Sequence, residues 1–347
     1  MHIEKKKIAF LGQQQGRPVI PLAQAFGIGE SHEREEWQSS QWQDLAVSAP
    51  VLWEVTDLKD AELVVFPHPY HNDEPARNVA RQAAASGLPC LFFRSADDMT
   101  PAEPSHGVVY RDSILASRQT RFERAMPALC GDLKAEYCSA TDPREWTPRP
   151  TVGFCGYVGS ALRRAVWSLQ GEYERVRGLR LRCRALRALG RCPGVKTVTV
   201  CRTRFWGGAI GPKPVTPPER ARIRREYLDN VFRTDYTLCV RGTGNFSYRF
   251  CEVMSAGRIP VFINTDCALP FADRIDWRRQ VVWVEEQDLP LLGEAVVAFH
   301  RNLDEDSFRD LQKENRRIWE QWLSPTAFYR HVIDDAARQK TAIPGTQ

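Results

Sequence analysis

The sequence predicts an α/β protein built from two doubly wound, Rossmann-like domains, and three observations carry that reading. Short apolar runs of strand length alternate with amphipathic stretches along most of the chain. The alternation breaks once, at Ala-Thr-Asp-Pro-Arg-Glu-Trp-Thr-Pro-Arg-Pro (140–150), a segment with the composition of a linker. The length of 347 residues exceeds the usual size of one domain. The expected organisation is a first domain over 1–145, a second over 151–303, and terminal helices over 304–347.

In the first domain, Ile8 to Leu11 reads as the opening strand and 12–16 as the polar loop at its carboxyl end, where ligands collect in open α/β sheets. A polar stretch from Glu30 to Gln43 follows, with Trp37 and Trp42 embedded as packing residues or sugar-stacking faces. Glu62 to Phe66 is the next strand, and the prolines of Pro-His-Pro-Tyr-His-Asn-Asp-Glu-Pro forbid its continuation. Asp73 before Glu74-Pro75 starts a helix that Gly87 stops, so His68, Tyr70, His71 and Asp73 crowd one strand-to-helix turn. Leu88 to Phe93 and Gly107 to Tyr110 complete this sheet.

The second domain restarts at Thr151 to Cys155, and Gly156-Tyr157-Val158-Gly159-Ser160 turns into a helix bearing Arg163 and Arg164. Arginines then recur every second or third place from Arg175 to Arg191, either a solvated helix face above inward Leu179, Leu186 and Leu189, or a contact for anionic lipid headgroups or a charged glycan. Val195 to Cys201 is a strand and Glu219 to Phe232 a helix.

Next comes the unit around which the chain is organised. Tyr236 to Val240 is a buried strand, Arg241-Gly242-Thr243-Gly244-Asn245 a turn that calls for glycine freedom, Phe246 to Met254 a helical spacing closed by Gly257, and Ile259 to Ile263 a second strand. A helix N-terminus after such a loop seats a phosphate, with Arg241 and Arg249 at its edge and Glu252 able to accept from vicinal hydroxyls. Phosphate plus ribose is a nucleotide. Val281 to Val284 is the last strand, and 289–301, 304–323 and 327–338 are helical.

The motifs Arg241-Gly242, Ser247-Tyr248-Arg249-Phe250-Cys251-Glu252, Ala256-Gly257-Arg258-Ile259-Pro260-Val261, Leu269-Pro270-Phe271 and Ile275-Asp276-Trp277 resemble, in order, the pattern of the exostosin family of glycosyltransferases. The likeness is clearest from Tyr236 to Val284, thinner from Val152 to Gly208 and faint before residue 150. It implies a two-domain fold of the GT-B type with a cleft between the domains and terminal helices, 304–347, that pack back toward the first, and inverting, metal-independent sugar transfer. The nucleotide-sugar, a UDP-sugar on this reading, is a co-substrate rather than a cofactor, and the acceptor is an oligosaccharide or lipid-linked glycan. Arg249, Arg241, Gly242, Ser247, Tyr248, Glu252, Arg163, Arg164 and Gly156 would bind the donor. The first domain would supply the acceptor-side base, from His71, Asp73 or His68.

Composition narrows the remaining classes. Hydrophobic residues at 43% and charged residues at 26% suffice for a full core without disulfides or metals, and the ten cysteines form no Cys-x-x-Cys pair. A net charge of +5 and the absence of interleaved aromatics give no nucleic-acid-binding module. The apolar run near the N-terminus is too short for a signal peptide, and no stretch has transmembrane length, so the expected setting is the cytoplasm, with peripheral contact at the inner face of the membrane. Two rival readings remain. Gly242 to Ser247 with Asp266 could be a dinucleotide fingerprint, although Ser247 stands where glycine belongs, and the protein could bind nucleotide or glycan without turning it over.

Overall fold

The structure, a computed structural model, describes residues 6–12, 53–137, 143–209 and 215–341. The polar stretch holding Trp37 and Trp42, and most of the loop after Gly12, lie outside the described residues. The chain forms two compact units: the first takes Met1–Leu129, Ala268–Pro270 and Trp322–Gln347, the second Cys130–Cys267 and Phe271–Gln321.

Unit 1 holds a parallel six-stranded sheet in the order β2-β1-β3-β4-β5-β6. Its strands are β1 (Lys6–Phe10), β2 (Trp53–Val55), β3 (Leu63–Pro69), β4 (Cys90–Arg94), β5 (Val108–Arg111) and β6 (Glu123–Ala125). The core is apolar on both sides, as parallel sheets require: Val64, Phe66 and Phe92 lie against Val79, Ala80 and Ala83 of helix α1 (Glu74–Ala85). The expectation that the prolines end β3 at Phe66 is not met. The strand runs through Pro67 to Pro69, and its pairing with β4 slips register between Val65 and Pro69, an irregularity of the kind that tolerates residues lacking an N–H.

Unit 2 holds a parallel five-stranded sheet, order β11-β10-β9-β7-β8, from β7 (Thr151–Tyr157), β8 (Lys196–Arg202), β9 (Tyr236–Cys239), β10 (Ile259–Asn264) and β11 (Val282–Glu285). In both sheets the first strand lies one in from an edge, with the second strand outside it and the third on its other side. Each unit is therefore doubly wound, with the strand order reversing beside the first strand. Buried Asp235 fastens that point in unit 2: its carboxylate accepts from Thr151 N (2.8 Å), Thr151 Oγ1 (2.7 Å) and Arg144 Nε (2.6 Å).

The segment from 143 to 150 is held within unit 2, not strung between the units. Trp146 stacks on His300 at 5.2 Å, and His300 Nε2 lies 2.6 Å from Thr147 O. Unit 2 begins at Cys130 because helix α2 (Leu133–Tyr137) is anchored there: Leu133 N donates to Ser255 Oγ and Tyr137 stacks on Phe232 at 4.3 Å. The tail divides also. The helix Glu305–Ile318 stays in unit 2, where Asn315 Nδ2 donates to Arg258 O and Gln280 O. The helix Pro325–Thr341 belongs to unit 1, with Tyr329 edge-on to Phe93 and Phe328 edge-on to Tyr110.

Candidate functional site

In a sheet with this strand order, the reversal between β7 and β9 splays the flanking loops at their carboxyl ends and opens a ligand crevice. Three segments of unit 2 flank it. These are the loop after Tyr157, the loop 240–247, and helix α3 (Tyr248–Ser255), for which Ser247 is the N-cap without a side-chain capping bond.

Arg249 joins the two strands at the reversal. Its Nη2 donates to Cys155 O at 2.9 Å and Nη1 reaches Leu238 O at 3.4 Å, while the guanidinium lies 4.7 Å over the Phe154 ring. Gly156 makes room for it, since a Cβ there would stand 2.5 Å from Nη2. Arginine suits the position because its planar fork can satisfy two carbonyls and still present a fixed positive face.

Arg241 is buried beside the same loop, donating to Thr243 O and pairing with Glu174 Oε2 at 2.8 Å. Burial pulls its pKa below the usual arginine value, and the Glu174 carboxylate opposes that pull. The glycine that permits this packing is not the expected one. Gly242 has no left-handed backbone and tolerates a Cβ at ordinary distance, whereas a Cβ on Gly178 would meet Gly242 O at 2.3 Å. Gly178 lies in the long helix Tyr173–Arg191, whose Arg182 Nη1 donates to Tyr157 O at 2.9 Å. Arg182 thus joins the crevice edge. An interior helical glycine one turn before an arginine was its signal in the sequence.

Arg164 folds back on its own loop, donating to Val158 O and Gly159 O at 2.9 and 3.1 Å. Exposed Arg163 leans over Trp167, its backbone N–H capped by Ser160 Oγ at 3.1 Å. Tyr248 stands exposed, edge-on to Phe246.

Glu252 sits in a different surrounding from the one expected. Its carboxylate is buried and accepts from Tyr227 Oη at 2.5 Å and Arg224 Nη1 at 3.2 Å, and Arg224 also reaches Glu136. Burial first, and then the Glu252 charge, push the Tyr227 phenol well above its usual pKa, so it remains a hydrogen-bond donor. In this arrangement Glu252 anchors helix α3 to helix Pro217–Phe232.

In unit 1 the reversal lies between β1 and β3, and the histidine turn follows β3. His68 falls within that strand, and its side chain lies outside the described residues. His71 is exposed. Asp73 is the N-cap of α1, its Oδ1 accepting from Ala76 N at 3.1 Å. Among the described residues, no group of three or more His, Cys, Asp or Glu is placed to hold a metal ion.

Unit 2 is thus an α/β unit with guanidinium groups gathered at the reversal of a parallel sheet, the place where such folds bind ligands. Residues 163–299 match the family model described as Exostosin GT47 domain, and the chain is exostosin-like through that segment. It is 28% identical over 125 residues to "Exostosin-1" of Drosophila melanogaster, covering 36% of this chain and 16% of that protein. Against "Probable glucuronosyltransferase 47 A" of Physcomitrium patens it is 42% identical over 74 residues, 21% of this chain and 16% of the relative. The matches thus span about a sixth of the length of these curated relatives. Among solved structures, a sucrose-phosphate synthase from Thermosynechococcus elongatus aligns over 98% of this chain and 100% of its own at 14% identity, with a TM-score of 0.39.

Proposed function

We propose that the protein is a glycosyltransferase that moves a sugar from a nucleotide-diphosphate sugar, a UDP-sugar first, to a glycan hydroxyl with inversion and without a bound metal. The observation that carries this reading is the position of Arg249, held across β7 and β9 at the sheet reversal inside the segment that matches the exostosin model.

As the anomeric bond breaks, negative charge gathers on the leaving diphosphate. Helix α3 presents its N-terminus at Ser247, and Arg249, Arg182 and Arg241 bring positive charge that needs little reorganisation, being already bonded to carbonyls. Direct displacement also needs a group to take the acceptor proton. His71 of unit 1 is the first candidate, because its ring is exposed while Asp73 is engaged at the helix cap.

The names of the relatives, an exostosin and a glucuronosyltransferase, support glycosyl and in particular glycuronosyl transfer. The dinucleotide reading has less support, since it leaves Arg249 without a role. Thermal-shift titration of the whole protein with UDP, UDP-glucuronic acid, UDP-xylose and NAD tests the choice. Stabilisation by a UDP-sugar is the expected result. Stabilisation by NAD alone would overturn the proposal, and binding without turnover would leave a binding protein.

A further inference from the structure

We propose that the first two helices of unit 2 form a docking face for an anionic lipid bilayer. The first, Ala161–Leu169, contributes no buried residue to the protein. Leu162, Val166 and Leu169 recur at intervals of four and three, one face of a helix, and Leu162 and Leu169 are 77% and 90% exposed. Such a stripe is what a monotopic helix lays into a headgroup layer, and it is costly to leave in water.

The second helix, Tyr173–Arg191, packs beside the first, with the Arg175 guanidinium 4.9 Å over the Trp167 ring. Tyr173, 70% exposed, opens a helical face that proceeds through Arg177, Arg180, Arg184, Arg187 and Arg191 at steps of four or three. The last four arginines are exposed and span about 16 Å of helix. Arg177 is paired with Glu286 at 2.6 Å, and Arg175, off this face, with Glu172 at 3.8 Å. Leu179, Leu181, Ala185 and Leu189 turn the opposite side into the core, so the arginine face is not needed for folding.

Charge complementarity selects the occupant. Guanidinium groups along a surface attract lipid phosphates. A soluble acidic polymer would use the arginines equally well but would leave Leu162 and Leu169 in water. An amphipathic tyrosine between the apolar stripe and the cationic row fits the interface of a bilayer. This surface is separate from the arginines at the sheet reversal, and the inference holds whether or not the protein transfers sugar.

The test is co-sedimentation of the full chain with vesicles of phosphatidylcholine alone or mixed with phosphatidylglycerol, with an acidic polysaccharide as soluble competitor. Binding to the mixed vesicles, weakened by salt, is expected. Arg180→Gln with Arg184→Gln should reduce it about thirtyfold. Leu162→Ser with Leu169→Ser should reduce it comparably, and should abolish what survives at high salt. Both pairs are exposed, and an unchanged melting temperature checks that they leave the fold alone. No binding to mixed vesicles, displacement by the polysaccharide with the leucine pair without effect, or binding indifferent to both pairs would each overturn the proposal.

Discussion

The two units share one strand order and differ in what their sequences place where it reverses. Unit 2 gathers Arg241, Arg249 and Arg182 against backbone carbonyls, and unit 1 sets an exposed histidine and a helix-capping aspartate after β3. The fold supplies the same strand reversal twice, and the side chains set beside it differ in charge and in exposure. The difference also has a mechanical side. The Arg249 guanidinium of unit 2 is fixed by hydrogen bonds to two strands, whereas His71 of unit 1 is open to solvent.

Removing the central arginine should break the comparison most severely. Arg249→Ala is expected to lower kcat/KM for the donor by about 10²- to 10³-fold, as loss of a fixed charge-stabilising donor does. The melting temperature should fall as well, because two strand carbonyls lose a partner. Arg249→Lys, which keeps the charge without the fork, separates the two effects: recovered stability with depressed turnover marks a role at the leaving group. Unchanged turnover in Arg249→Ala would reduce the residue to a strand tie.

The histidine side comes next. His71→Ala should lower kcat by about 10²-fold with donor KM and melting temperature unmoved. Asp73→Ala should instead cost about 1 kcal/mol of stability, the usual loss of an N-cap. Should Asp73→Ala reduce kcat more than His71→Ala does, the base has been assigned to the wrong member of the turn.

Gly156→Ala sharpens the comparison without removing any charge. The added Cβ would crowd Arg249 Nη2 at 2.5 Å, so the guanidinium must shift. About tenfold lower kcat/KM is expected, less than deletion because the charge stays nearby. A variant with wild-type kinetics would mean that the exact seat of Arg249 is unimportant.

The sequence made the core unit of this protein legible because its signals were local. The run Tyr236 to Cys239, the stop at Gly257, which is left-handed at φ +62°, and the run from Ile259 are strand, helix end and strand as their residues required. Leu179 and Leu189 point inward as the helical spacing implied. Other features depended on distant partners. Nothing near Glu252 indicates that Tyr227, twenty-five positions earlier, would take its carboxylate. The prolines near 140–150 marked a linker by composition, yet Trp146 and Arg144 bind that segment to His300 and Asp235. The value of Gly178 shows only once the backbone of Gly242 lies against it.

The units also differ in how their buried charges respond to pH. In unit 1 Asp112 is buried, and desolvation raises its pKa to about 7, even though Ser95 Oγ and Ala96 N donate to it. Its folded pKa lies above the unfolded value, so the folded state holds the extra proton between the two. Stability is therefore full below about pH 4 and declines as pH rises to about 7, by on the order of 1 kcal/mol for each pH unit crossed. In unit 2 the matching buried group is Arg258, lowered by desolvation to about 10, and its linkage lies far above neutrality. Other carboxylates, such as Asp132 and Glu285, are shifted down and act in the opposite sense, so the informative quantity is the difference between wild type and Asp112→Asn. Urea midpoints for the pair across this range should show the variant gaining on the wild type as pH rises. A constant difference would mean that Asp112 is already ionised in the folded protein, and the buried acid would no longer set unit 1 apart from unit 2.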